Sequence, residues 1–148
     1  MPELQLTEIS APPWLATPGI AYRLGYLNEF QTYYYRDSRW LAPPAVLLSE
    51  RLRQKLALVK HSSNAGKPIA LRLELHEFEQ RFSSSTQSAV RVGLRARLGE
   101  GTAASLQSFE VVLPSDSADA SGAVRAFSAA GDQILTQVLA WAALKSRP

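Results

Sequence analysis

The 148-residue chain contains no cysteine, one methionine, two histidines and eight glycines. Without cysteine there is no disulfide, no thiolate zinc ligand and no thiol nucleophile. An oxidising compartment stays open, because nothing obliges a protein there to form disulfides. Long apolar runs are missing too: no stretch of 18 apolar residues occurs, so no predicted helix spans a bilayer. The first residues lack the basic-then-apolar pattern of a signal peptide, and the chain as it stands reads as soluble. Nor is there a block of like charge. Sixteen Lys and Arg against 13 Asp and Glu leave a net +3 spread along the sequence, which gives no reason to expect a nucleic-acid partner. What is present is 46% hydrophobic residues, enough for a real core and one domain over residues 1–148.

The pattern predicts a mixed α/β domain in the order βββαβββα, without internal repeats. "LQLTEI", Leu4 to Ile9, alternates as a half-buried strand does. Pro12, Pro13 and Pro18 then hold an extended connection. Ile20 to Leu24 form a second strand, and the aromatic "EFQTYYYR" a third that pairs with it as a hairpin, closed by Asp37 and Ser38. Pro43 and Pro44 suit a first helical turn, after which Leu48, Leu52 and Leu56 recur every four residues, giving an amphipathic helix to about Lys60. "HSSNAGKP" supplies turn residues. From Ile69, Leu71, Leu73 and Leu75 alternate with Arg72, Glu74 and His76; from Val90, apolar residues alternate with Arg91, Arg95 and Arg97. "GEGT" turns the chain into "LQSFEVVLP". A last helix runs from about Asp119 to Leu144 with Val124, Phe127, Ile134, Leu135, Val138 and Trp141 on its inner stripe. Arginines facing outward imply one partly solvated sheet face, since a fully covered parallel sheet reads as unbroken Val, Ile and Leu.

Each candidate catalytic motif fails in context. "HEFEQ" at His76 begins like a zinc-protease helix, but Gln80 stands at the second ligand position and the segment alternates as a strand. "GEGTAA" spells a dinucleotide fingerprint, yet a strand follows where a helix must open. Ser83, Ser84 and Ser85 occupy no nucleophile elbow, and only His61 and His76 are available as bases. Glu77 and Glu79 flank Phe78 and read as solvating a strand end. No catalytic residue, metal site or cofactor is predicted, and the protein is expected not to be an enzyme.

The triple tyrosine remains. In a strand, Tyr33 and Tyr35 share one face and Tyr34 takes the other. One reading packs a face against a helix and leaves Arg36 and Arg39 as solvated rim. The other makes Tyr33, Tyr35, Arg39 and Trp40 a protein-contact patch, because Tyr, Trp and Arg offer large, pre-ordered contact area with hydrogen-bonding tips.

The same stretch, "PGIAYRLGYLNEFQTYYYRDSRWLAPPAVLLSERLRQKL", resembles the ABC-type transport auxiliary lipoprotein family, which includes the PqiC-like lipoproteins of MCE-type lipid transport systems. The shared pattern is a "PGI-x-YR" strand, an aromatic strand, and "RW" followed after two residues by "PP". "ALRLELHEFEQRF" and the Ala-rich final helix with Trp141 extend the resemblance over Pro18 to Leu144. It implies a three-layer sandwich similar to the TolB amino-terminal domain, with helices on both sheet faces. It also implies a periplasmic, lipid-anchored accessory protein at the outer membrane that works by docking partner subunits of a transport system for lipid or another hydrophobic solute. The chain carries no cysteine, so the anchor either lies outside these residues or is not made in this member. Self-association into a homo-oligomer is a further expectation. The competing reading is a soluble ligand- or protein-binding module with no transport role.

Overall fold

The computed structural model describes residues 3–58 and 67–146. Its elements are β1 (Leu4–Leu6), β2 (Gly19–Leu24), β3 (Tyr33–Arg39), α1 (Pro44–Ala57), β4 (Ile69–Phe82), β5 (Ser88–Leu98), β6 (Ser105–Pro114) and α2 (Ala120–Lys145). The expected order βββαβββα is therefore the observed one. The strands form one mixed sheet in the order β3-β2-β4-β5-β6. The long strand β4 organises it. One flank of β4 is shared, first by β1 (Leu4 opposite Ile69) and then by β2 (Tyr22 opposite Gln80), both parallel. Its other flank and the β2–β3 and β5–β6 pairs are antiparallel.

Several boundaries differ from the sequence expectation. β1 stops at Leu6, and the connection the prolines were expected to keep extended contains a 3₁₀ turn at Pro13–Leu15. A proline at the start of such a turn forfeits no hydrogen bond, so the ring suits either form. β3 begins at Tyr33 and runs through Asp37 and Ser38, which sit inside the strand rather than closing it. Asp and Ser are tolerated there because β3 is an edge strand with most side chains exposed. α1 closes at Ala57 with Leu58 as its C-cap, short of the expected Lys60, and the turn around "HSSNAGKP" lies largely outside the described residues.

Both helices lie on one face of the sheet. Leu48 of α1 comes within 3.3 Å of where a Cβ on Gly131 of α2 would stand, and Arg51 Nε meets Asp132 Oδ1 at 2.9 Å between them. Under them a single core joins Leu48 and Leu52 to Leu71, Leu75, Val92, Leu94, Phe127 and Ile134. The buried Ser49 ties in the amino-terminal segment: its hydroxyl accepts from the Ile9 amide at 2.9 Å and donates to the Ala45 carbonyl. On the other face Arg72, Glu74 and Arg95 are exposed, and the Pro13–Leu15 turn covers only the Ala21 end. The helices therefore do not flank the sheet as in a three-layer sandwich. The outward arginines are the physical reason, because a helix laid over them would bury a ladder of charge.

The alternation in β4 does not hold to its end. Leu75 pairs with Leu94 but Glu77 with Gly93, so His76 is an extra residue, a bulge. Its imidazole lies over Gly93, where a Cβ would collide with the ring. Past the bulge the phase flips, and Phe78, Gln80 and Phe82 turn toward the helices.

Candidate partner-docking site

The stretch from Tyr33 to Leu48 builds two adjoining features on the helix side. The first is a tyrosine corner. The rings of Tyr33 and Tyr35 lie 5.3 and 4.5 Å from that of Tyr22, with Phe82 edge-on at 6.0 Å. The Tyr35 hydroxyl donates to Gln80 Oε1 at 2.6 Å, and Gln80 Nε2 donates to Ser88 Oγ at 2.9 Å and to the Asp119 carbonyl at 3.3 Å. Gln80 is 0% exposed, so its amide works as a hub joining β3, β5 and the start of α2. Burial, then the neighbouring Tyr22 and Asp119, pushes the Tyr35 hydroxyl up to about 12. Asp119 itself caps α2, its carboxylate accepting from the Gly122 amide at 2.8 Å. The bonds from Ser117 and Gly122 hold its carboxyl below the ordinary value.

The second feature is a cleft. Trp40 leaves β3 with its amide donating to the Pro18 carbonyl at 2.6 Å. Its indole packs edge-on against Phe78 (5.7 Å) and Phe127 (5.5 Å), which stack on each other at 4.3 Å and 12°. The indole nitrogen is enclosed, with no acceptor among the described residues. Pro44 starts α1 at a point where a missing amide hydrogen costs nothing, and so sets the helix against these rings. Between α1 and α2 this leaves a cleft of about 330 Å³, mostly apolar, walled by Trp40, Leu47, Leu48, Val124 and Phe127. Val124 lines the cleft half-exposed instead of packing in the core as its helical phase implied. Arg51, Lys55 and Asp132 form an ion-pair cluster beside it, and the bond from Arg51 holds the Asp132 carboxyl below its usual range. Leu41, the residue after Trp40, is 96% exposed.

Of the four residues singled out by sequence, Tyr33, Tyr35 and Trp40 therefore lie on the helix side. Arg39 does not join them. The β2–β3 register shifts, pairing Gly19 with Arg39 but Ala21 with Tyr34, so Arg39 shares the face of Tyr34. Tyr34 lies against Gly19 and donates to the Trp14 carbonyl at 2.8 Å on the open side. Phe127 packs inward as its place on the stripe of the last helix implies, whereas Phe78 and Gln80 were not assigned to the site from the sequence because the bulge reverses their phase. The one available signal was the run "FEQRF", whose apolar spacing resumes out of step with Leu71, Leu73 and Leu75.

The titratable groups of β4 need correction. Glu79 does not solvate a strand end: it is buried in the body of β4 and paired with Arg23 at 2.9 Å. Burial holds its carboxyl above the ordinary value, against the opposing pull of Arg23 and Arg81. His76 sits on the open face, and His61 lies outside the described residues. "GEGT" is the β5–β6 hairpin turn, with Gly99 (φ 91°) and Gly101 (φ 67°) in the left-handed region that favours glycine. Among the described residues no cluster of three His, Asp or Glu is placed to hold a metal.

The fold is thus a one-sided helix layer on a mixed sheet, with an aromatic cleft between the two helices. The chain belongs to the ABC-type transport auxiliary lipoprotein component family, whose family model matches residues 1–139. Its fold is similar to that of protein XCC0632 from Xanthomonas campestris, described as a DUF330 member: 22% identity, TM-score 0.81, covering 94% of this chain and 82% of that one. A second solved structure, an uncharacterized protein, is 16% identical with TM-score 0.70, covering 93% and 89%. No curated protein matches the sequence.

Proposed function

We propose that the protein is a non-catalytic accessory subunit of an MCE-like envelope transport system for lipid or another hydrophobic solute. It acts at the periplasmic face, anchored to the outer membrane as a lipoprotein, by docking partner subunits of that system. Membership of the family supports the system. The docking surface rests on one observation, the open aromatic cleft at Trp40 with the tyrosine corner beside it. Within it Tyr33 and Leu47 offer contact area, and Leu41 projects next to it into solvent. Tyr35 and Trp40 shape the surface from below, and Arg39 approaches a partner from the β3 edge.

The test replaces Tyr33 with Ser, Arg39 with Ser and Leu47 with Glu in one variant, leaving Tyr35 and Trp40 to hold the fold. Loss of co-purification with the transport subunits, with unchanged thermal unfolding, is the expected result. Undiminished capture by a folded variant removes the surface from consideration. A second reading, a ligand-binding module without transport role, draws on the cleft volume, which lies at the lower end of the range of small-ligand pockets. It predicts saturable uptake of a small apolar ligand by the isolated chain and no capture of transport subunits.

A further inference from the structure

Where β2 hands over to β3, the loop 25–32 carries Tyr26, Leu27 and Phe30, which are 45%, 69% and 99% exposed. The loop is not slack. The Leu27 and Asn28 amides donate to the Leu24 carbonyl, the Phe30 amide to Asn28 Oδ1, and the Arg23 guanidinium to the Glu29 carbonyl at 2.7 Å. A hydrogen-bonded frame therefore holds three large apolar side chains out into water, where each costs free energy unless something covers it.

Behind this loop the sheet end carries Arg23, Arg81 and Arg91 among the carboxylates of Glu29, Glu77, Glu79 and Glu110. Leu24 pairs with Phe82, so the β4–β5 turn ends beside the loop. Between them lies a cleft of about 440 Å³ lined by Tyr26, Glu29, Arg81, Ser83, Gln87 and Arg91. Among the described residues Arg81 has no carboxylate within 4.0 Å, and its buried Nε has no acceptor. The nearest carboxylate oxygens to Arg91, on Glu77 and Glu110, are both at 4.0 Å. At the other end of the same face Arg95 holds Glu74 at 2.7 Å and Arg72 holds Glu100 at 3.3 Å. Next to the loop Arg23 holds Glu79 at 2.9 Å, and Arg97 donates to the Gly101 carbonyl at 3.0 Å, so among the described residues Arg81 and Arg91 are the open-face arginines of β4 and β5 left without a close partner.

Outward hydrocarbon beside guanidiniums that lack a close counter-ion complements a surface that offers phosphate and acyl chain side by side. We infer that this end of the sheet docks on a phospholipid bilayer surface, with Tyr26, Leu27 and Phe30 entering the headgroup–acyl boundary and Arg81 and Arg91 meeting lipid phosphate. The Glu29 carboxylate in the same cleft opposes the anion, which tunes the affinity downward. The inference uses a different region from the Trp40 cleft and stands or falls independently of partner docking.

The test is flotation of the full, unlipidated chain with vesicles of phosphatidylcholine alone and of phosphatidylcholine doped with phosphatidylglycerol. Binding is expected to the anionic vesicles and to weaken with salt. A variant with Tyr26, Leu27 and Phe30 all changed to Ser should bind roughly tenfold more weakly or worse, with unchanged unfolding because these side chains are exposed. Changing Arg81 and Arg91 to Gln should cost about fivefold per residue on anionic vesicles only, while Glu29→Gln should strengthen that binding about twofold or more. No vesicle binding, or binding indifferent to the triple variant, overturns the inference. So does equal affinity for soluble glycerol phosphate, which would make the cleft a site for a free phosphate; capture of a protein alone would do the same.

Discussion

The two faces of the sheet solve the problem of polar groups in opposite ways. On the helix face the polar chemistry is concentrated in Gln80, fully buried, whose amide takes part in three hydrogen bonds. On the open face it is distributed along a ladder in which Glu74 opposes Arg95, Arg72 opposes Arg97 and Glu79 opposes Arg91. A buried hydrogen-bond hub is expensive to damage because the orphaned partners cannot reach water, whereas an exposed ion pair loses little when one member goes. The comparison teaches that stability and surface chemistry have been separated: one face can be altered for recognition while the other holds the fold.

The strongest way to break this contrast is at Gln80. Gln80→Met keeps the volume and leaves the Tyr35 hydroxyl without its acceptor and two further groups unpaired, so urea unfolding should show a loss of about 2–3 kcal/mol. A spectrophotometric titration adds a second readout. In the parent protein the Tyr35 phenol should ionise near pH 12. Burial, the first cause of that raised value, persists in the variant, so the step should stay high while stability falls; an unfolding loss well under about 2 kcal/mol would mean that Gln80 is not the hub.

A smaller effect tests the bulge. Gly93→Ala brings a methyl into the His76 imidazole on the open face and should cost about 1 kcal/mol, less than in a closed core because the ring has solvent to move into. Adding His76→Ala should restore most of the loss in a double-mutant cycle. Additive costs would show that the two side chains do not meet.

Glu79 blurs the line between the faces, since it belongs to the ladder yet is buried. Its carboxyl titrates above the ordinary 4.5 because burial outweighs Arg23 and Arg81. A carboxyl whose folded pKa is raised favours the fold below its unfolded pKa and gives that stability up as the pH climbs through the folded value. Glu79→Gln should therefore flatten a decline in stability that begins just above pH 4.5. A parent protein whose stability rises over that interval, with Glu79→Gln leaving the slope unchanged, would refute the assignment.

Much of this contrast could be read from residue order alone. The strict alternation from Ile69 to Leu75 and from Val90 to Leu98 separates the faces, and the arginines between them mark the open one. The helix face of α1 follows from Leu48 and Leu52. What period-two reasoning could not carry is a change of phase. A single extra residue at His76 sends Phe78 and Gln80 inward and Glu77 and Glu79 outward, and its trace in the sequence, the out-of-step apolar spacing of "FEQRF", does not say where the extra residue sits. The β2–β3 register shift likewise separates Arg39 from Tyr33 and Tyr35, which adjacency in sequence had grouped. Burial of Glu79 depends on Arg23, 56 residues away in sequence, and such pairing is invisible without the parallel β2–β4 contact.

The smallest effect is the most discriminating. Glu74→Ala removes the carboxylate that Arg95 holds at 2.7 Å, the shortest ion pair on the open face. Both side chains are more than half exposed, so the Coulomb gain is screened by water and offset by the entropy of holding two long side chains. The expected loss is at most about 0.5 kcal/mol, shrinking further at high ionic strength. A loss several times larger would mean that the ladder acts cooperatively and that the open face, too, carries the fold. A negligible loss leaves Arg95 free to take a new partner, so this end of the face would come to resemble the Arg81 and Arg91 end. Anion affinity at Arg95 should then rise in the same variant, measurable as a phosphate-dependent increase in unfolding temperature that the parent protein lacks.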